Sequence, residues 1–408
     1  SPSYTVDGLL AKQYATLGLT GQKGPAGSAD LSGDEGESGF IRTIFNLQEL
    51  MTDETAWAYQ NDNAIAPITN FSWNSGNDRV NWAYQRLIFD IECGRAGAPR
   101  LLAFGLNMIG PVLMKYGSLA QQQRFLPRIP AVDDFWCQGF SEPGAGSDLA
   151  SLRTRAVRKG DRYVVNGQKT WTTMAHWADW IFCLVRTDAE AKPQEGISLL
   201  LIDMKTPGIT VRPIKTLDGG YDVNETWFED VEVPLENLVG QENRAWTYAK
   251  YLLGHERTGI AGIGQCHREL AQLKRYAAAI FDGTGRPLIE TPRVRDKIMH
   301  IEMDVMALEM LLLRVATQAA GTPGPAASII KIRGSELQQE LAMLQMEIAG
   351  PDSWPFATEW LHGVEQPVSG PAWAAPATST YFDMRKTTIF GGATEVQKNI
   401  ISKAILGL

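Results

Sequence analysis

The sequence predicts an α+β multi-domain protein, helical at both ends and β-rich in the middle. Three observations carry this. Short β-rich runs separated by turn residues fill the stretch from Phe135 to Val239. A helical period of apolar residues returns from Trp246 onward. At 408 residues the chain is long enough for two or three domains with substantial cores. The regions expected are a mostly helical N-terminal domain over 1–132, a central β domain over 133–240 and a C-terminal helical bundle over 241–408.

In chain order, residues 1 to about 130 read as mixed and mostly helical, broken by a Gly-, Ser- and acid-rich stretch from Gly21 to Gly39 that reads as a mobile loop. In the β region, Ile181–Val185, Ile197–Ile202 and Ile209–Ile214 are strand-like runs. Tyr163–Val165 runs into Asn166-Gly167, and an Asn-Gly between strand-like runs is a hairpin signal. Farther on, Leu308–Val315 is apolar enough for a buried bundle helix. Gly350–Thr380, with several Pro and Trp, reads as a long loop interrupting the helices. No internal repeat is evident.

Composition excludes some function classes. Lys and Arg number 38 against 46 Asp and Glu, a net charge of −8. That balance argues against nucleic acid or an anionic membrane surface as partner, since both are held by basic patches. No apolar run reaches transmembrane length, and Ser1-Pro2-Ser3 does not open a signal peptide, so a cytoplasmic location is expected. Cys93, Cys137, Cys183 and Cys266 lie far apart with no C-x-x-C pair, which reads as reduced core thiols rather than metal ligands or disulfides.

The most informative stretch is Gln138–Thr154, QGFSEPGAGSDLASLRT. Pro143, Gly144 and Gly146 mark a tight loop whose bare backbone can approach a ligand closely. Ser141, Ser147, Ser151 and Thr154 surround it with hydroxyls able to donate to carbonyl or phosphate oxygens. The loop feeds into a strand-like segment ending in Trp171, Thr172 and Thr173.

This block resembles the acyl-CoA dehydrogenase family of FAD flavoproteins. The likeness begins weakly near Trp82, becomes close from about Cys93 (CGRAGAPR) and continues to the C-terminal KNIISKAILGL. It is nearest to the bacterial large-subunit type that contains pimeloyl-CoA and sterol side-chain dehydrogenases. Residues 1 to about 80 show neither the usual amphipathic opening helices nor the "EYGG" turn. The resemblance implies a helical domain, a β-barrel-like domain and a C-terminal four-helix bundle. It also implies α,β-dehydrogenation of an acyl-CoA thioester to the trans-2-enoyl-CoA. Such chemistry needs a base for the α-proton, an acceptor for the β-hydride and hydrogen bonds to the enolate oxygen. No side chain accepts a hydride, and a G-x-G-x-x-G fingerprint after a strand is absent, so FAD is implied by the family block alone. Flavin N5 is the implied hydride acceptor, with electrons passed on to an electron-transfer flavoprotein.

Carried over by position, Gln138, Phe140, Ser141 and Gly146 fall where relatives hold the flavin. Trp171 falls where an aromatic covers the isoalloxazine, with Thr172 beside it and Thr173 where a hydroxyl reaches the N5 region. Ser147 falls where the pantetheine or phosphate portion of the substrate is held. Relatives draw the base from one of two places. In the C-terminal loop, written Y-E-G-T, this chain has Phe390-Gly391-Gly392-Ala393-Thr394-Glu395, and Gly391 occupies the Glu position. The other place is a Leu-x-x-Glu-Arg helix, here Leu252–Arg257, which makes Glu256 the expected base. Arg257 and Gly392 fall at positions that border substrate. His255, adjacent to Glu256, points away from it on a helix and is given no role.

Assembly matters because a neighbouring subunit completes the FAD site in this family, so a homo-oligomer (dimer or tetramer) or a heterotetramer is implied. Glu347 and Gly350 lie in a Gln-Ile-x-Gly-like stretch near the adenine end, and Thr394 and Glu395 near the flavin. Two departures stand out. Glu347 replaces the usual Gln, and the Arg preceding a Phe-Gly pair is missing from Ile280-Phe281-Asp282-Gly283, with Arg286 nearby. Four readings stay open: a dehydrogenase, an oxidase or monooxygenase of the same fold, one subunit of a heteromer, and a non-catalytic acyl-CoA-binding scaffold. Small residues around the base helix (Gly254, Thr258, Gly259, Ala261) point to a roomy pocket for a bulky, branched, cyclic or ω-carboxylated acyl group.

Overall fold

The computed structural model describes residues 78–98, 103–317, 325–356 and 370–407. The expected N-terminal loop, and residues 1–77 generally, lie outside them. In chain order the helices are α1 (Asp78–Arg95), α2 (Gly110–Tyr116), α3 (Leu119–Phe125) and the single turn α4 (Arg128–Ala131). Seven strands follow: β1 (Trp136–Gly139), β2 (Arg155–Lys159), β3 (Arg162–Thr173), β4 (Trp180–Arg186), β5 (Ile197–Asp203), β6 (Ile209–Ile214) and β7 (Val223–Pro234). Then come α5 (Ala245–Ile260), α6 (Ile263–Ala279), α7 (Pro292–Thr317), α8 (Pro325–Ala349), α9 (Ala377–Met384) and α10 (Thr394–Leu406). The chain divides into two compact units. Of the described residues, the first holds 103–214 and 221–256; the second holds 78–98, 215–220 and those from 257 onward.

The first unit is built on one mixed sheet ordered β1-β4-β2-β3-β7-β6, with β5 on β4. β4 and β5 are mostly apolar because both their faces are buried, Ser198 being the one buried polar residue within them. Trp136, Phe182 and Leu184 face a core shared with α2, α3 and the first part of α5, whereas Cys137, Ile181, Cys183 and Val185 face a second core with Tyr163, Phe228 and Val231. That alternation is the two-residue period of a strand sorting its side chains between two cores. α3 begins on a reciprocal cap, Ser118 Oγ accepting from the Gln121 N–H and Gln121 Oε1 from the Ser118 N–H.

The hairpin expected at Asn166-Gly167 lies elsewhere. β2 turns into β3 through the two-residue loop Gly160-Asp161, with Gly160 at φ +63°. Asn166 stays in strand pairing opposite Arg155, and its amide exchanges two 3.0 Å hydrogen bonds with Asp230 on β7. Gly167 sits at a bulge instead, at φ +152°, where a Cβ would lie 2.6 Å from Thr154 Cα.

In the second unit α6, α7 and α8 pack on one another, α1 lies against α6 and α7, and α10 lies against α8. α1 and α6 cross at bare backbone. A Cβ at Gly94 would lie 1.9 Å from the Gly264 carbonyl oxygen, and one at Gly264 2.0 Å from that of Asp90. The apolar run at Leu308–Val315 is part of the longer α7; Leu308 and Leu312 are buried in its core, while Met310 and Arg314 face outward. Of the long loop expected over Gly350–Thr380, residues 357–369 lie outside the described residues, and a helix, α9, already begins at Ala377. This arrangement of a central sheet and C-terminal helices is the multi-domain fold the sequence predicts. Cys137, Cys183 and Cys266 are buried and outside any disulfide, and burial pushes the Cys183 thiol up to about 11.

Candidate active site

The first unit brings the central block together around one bulge. Gln138 lies in β1 opposite Phe182, one residue before the strand ends at Gly139, and Phe140 packs edge-on against the Phe182 ring at 5.9 Å. The chain then leaves the sheet as the glycine loop, closed by paired backbone hydrogen bonds of 3.0 Å between Glu142 and Ala145. Gly144, Gly146 and Ser147 are exposed on it, and a Cβ at either glycine would meet nothing within 4 Å. The loop's far side is held by Arg186, whose guanidinium donates to the carbonyls of Ala150 (2.6 Å) and Leu152 (3.2 Å).

β3 returns beside this loop. The Thr170 N–H donates to the Ser141 carbonyl at 2.9 Å, and the pairing of β3 with β7 slips between Lys169 and Thr172. The slip throws Trp171 outward at φ +58° with 59% of its surface exposed. A bulky residue in left-handed backbone is strained, and such strain collects where a side chain must be displayed. Thr173 is half-buried next to it; Thr172 is buried and its hydroxyl faces inward. Asn224 fixes this end, donating to the Thr172 carbonyl at 3.0 Å and meeting His176 Nδ1 at 3.1 Å.

Sequence reasoning missed the group beneath the loop. Lys169 is fully buried, with Nζ 2.7 Å from Glu142 Oε1 and 3.2 Å from the Phe140 carbonyl. Glu142 also accepts the backbone N–H groups of Arg153 (2.6 Å) and Thr154 (2.9 Å). Burial pushes the Glu142 carboxyl up, but the Lys169 charge and these hydrogen bonds outweigh it, leaving it below the ordinary 4.5. The signal available was a Lys at an inward strand position with a Glu in the neighbouring turn. An open cleft of about 440 Å³ runs along the loop, lined by Pro143, Gly144, Ser151, Arg153 and Gln168 among others. Of the four hydroxyls expected around the loop, Ser151 donates to the Asp148 carbonyl and Thr154 is buried against that of Gln168, which leaves Ser141 and the exposed Ser147. An exposed indole on the bulge, open glycine backbone and these two hydroxyls, with the nearby carboxylate paired to Lys169, fit a flat ring system with polar edges.

α5 carries Glu256 and Arg257 in its last turns; their side chains lie outside the described residues. In the second unit, Glu347 is held by Lys297 at 2.6 Å and Arg293 at 3.7 Å, and Gly350 at φ +56° ends α8. Gly391 and Gly392 are both left-handed, φ +64° and +93°, and Gln397 Nε2 donates to their carbonyls at 3.2 and 3.3 Å. Thr394 and Glu395 form the first turn of α10. Arg286 folds back on Asp282 at 3.4 Å in a short loop.

The acyl-CoA dehydrogenase middle-domain family model matches residues 137–231, and the C-terminal-domain model matches 243–406. The chain is 33% identical over 359 residues to acyl-CoA dehydrogenase IpdE1 of Mycobacterium tuberculosis, covering 85% of this chain and 86% of that one. It is 36% identical over 334 residues to FadE26 of the same organism, covering 80% and 81%. Among solved structures, the ChsE4-ChsE5 complex from Mycobacterium tuberculosis aligns with a TM-score of 0.69 at 32% identity, over 93% of this chain and 99% of that one. A Tcur3481-Tcur3483 steroid ACAD aligns with a TM-score of 0.69 at 26% identity, over 95% and 98%.

Proposed function

The chain belongs to the acyl-CoA dehydrogenase family and is an oxidoreductase of that type, and from this premise we propose that it dehydrogenates an acyl-CoA thioester at Cα and Cβ with FAD. The observation that carries the proposal is Trp171, held exposed on a left-handed bulge that hydrogen-bonds through the Thr170 N–H to Ser141 at the start of the open glycine loop. FAD, when bound, supplies the hydride acceptor that no side chain offers. In this reading Gln138, Phe140, Ser141, Gly146, Trp171 and Thr173 hold its ring, and Thr172 contributes through its backbone, since its hydroxyl is turned inward. Ser147 and the loop's open backbone receive the thioester's polar tail. Glu256 removes the α-proton, supported by Arg257, and Gly392 borders the acyl chain.

Gly391 supports the choice of Glu256, since it offers no acceptor at the alternative base position and its backbone suits glycine. Replacing Glu256 by Gln tests the assignment: the variant keeps its flavin and loses roughly 10²–10⁴-fold in the rate of thioester-driven flavin reduction. A Glu256→Gln variant reducing flavin at the wild-type rate refutes it.

Electrons pass, on this reading, to an electron-transfer flavoprotein rather than to oxygen, so oxygen uptake during turnover would favour an oxidase. The two similar solved structures each pair two different chains, one of them a steroid enzyme by its name. Glu347 already satisfied by Lys297 and Arg286 turned onto Asp282 leave little to offer a second copy's cofactor. These observations favour a second reading of assembly: a heteromer in which this chain carries the catalytic centre and takes a bulky, sterol-derived acyl group.

A further inference from the structure

The Glu142–Lys169 pair has no part in the chemistry just described, yet it is the most deeply buried ion pair among the described residues. Three chain segments meet on it. Residues 140–142 enter the glycine loop, residues 153–154 leave it, and Lys169 stands at the edge of the bulge that displays Trp171. Lys169 faces Thr226, and Thr172 faces Asn224, so the strip beneath the bulge is polar along its length. Taking two charges out of water costs heavily, and apolar side chains of like volume in such a place are often as stable or more so. Neighbouring inward positions are indeed apolar, with Val165, Phe228 and Val231 all buried. What an apolar pair lacks is direction: hydrogen bonds of 2.6–2.9 Å donated to one carboxylate fix both ends of the loop against one strand position.

We propose that Glu142 and Lys169 are positioning residues: the pair clamps both ends of the glycine loop to the Trp171 bulge and so aims loop and indole at the cofactor. The proposal rests on the flavin-dehydrogenase reading above.

The test separates aim from stability. In Glu142→Leu/Lys169→Met both charges leave together. The expected result is a flavin-free protein that still unfolds cooperatively, its melting temperature lowered by no more than the loss of an acceptor for the Arg153 and Thr154 N–H groups costs, with the flavin dissociation constant raised about 10- to 100-fold. Glu142→Asp keeps the charge but draws the carboxylate back by one methylene. It is expected to fold normally, shift the bound flavin's absorption bands and lower the rate of flavin reduction more than it changes KM for the thioester. The proposal is overturned if the double variant binds flavin as tightly as wild type. It is equally overturned if flavin affinity falls only alongside a collapsed melting temperature while Glu142→Asp keeps wild-type bands and rates. Wild-type protein that takes up no flavin sinks the dehydrogenase reading itself, before any variant is compared.

Discussion

Glu142 shows how one residue can be legible as a letter and illegible as a role. In the sequence it sits between a Ser and a Pro in a glycine-rich turn, where an acid ordinarily stays solvated. Only the register of β3, which turns Lys169 inward, makes it a buried partner. Its lowered carboxyl gives a pH prediction. A carboxyl depressed on folding contributes stability fully above its unfolded value and loses it as pH falls through its lower folded value. The melting temperature of wild type should therefore drop below about pH 4.5, and that of Glu142→Gln, lower throughout, should drop less steeply there. Equal acid slopes would remove Glu142 as a contributor. A separate prediction concerns Tyr163, whose hydroxyl donates to Glu242 at 3.0 Å. Tyr163→Phe should cost about 1–2 kcal/mol in denaturant unfolding.

At the scale of elements, the strands from Ile181 to Ile214 were readable because β-rich runs between turn residues leave few alternatives. The Asn166-Gly167 reading failed for a physical reason. Asn-Gly favours a left-handed turn, but reciprocal bonding of the Asn166 amide to Asp230 holds it in the ladder and leaves Gly167 to fill a bulge. Gly167→Ala would drive a methyl into Thr154 and lift the end of the glycine loop, costing about 1–3 kcal/mol. A variant as stable as wild type would contradict that contact. The glycine crossing of α1 and α6 was not legible at all, since no local pattern announces which helices touch. Gly264→Ala should be the harsher change, because its methyl meets the Asp90 carbonyl at 2.0 Å and backbone cannot step aside as a side chain can. A melting temperature within a degree or two of wild type would show the helices can part.

For the whole molecule, the family, the sheet and the C-terminal helices were all within reach of the sequence, because the central block carries both fold and chemistry. What the sequence did not convey was the separation of display from support: Trp171 and the loop face outward, while the pair that orders them is buried behind. The central claim is flavin-dependent oxidation of an acyl-CoA, and an anaerobic visible titration of the purified protein with a panel of acyl-CoA thioesters tests it most directly. An oxidised flavin band should bleach with at least one thioester, bulky acyl groups foremost, as a long-wavelength charge-transfer band grows in. A protein that purifies without flavin, or whose flavin stays oxidised with every thioester, would contradict it.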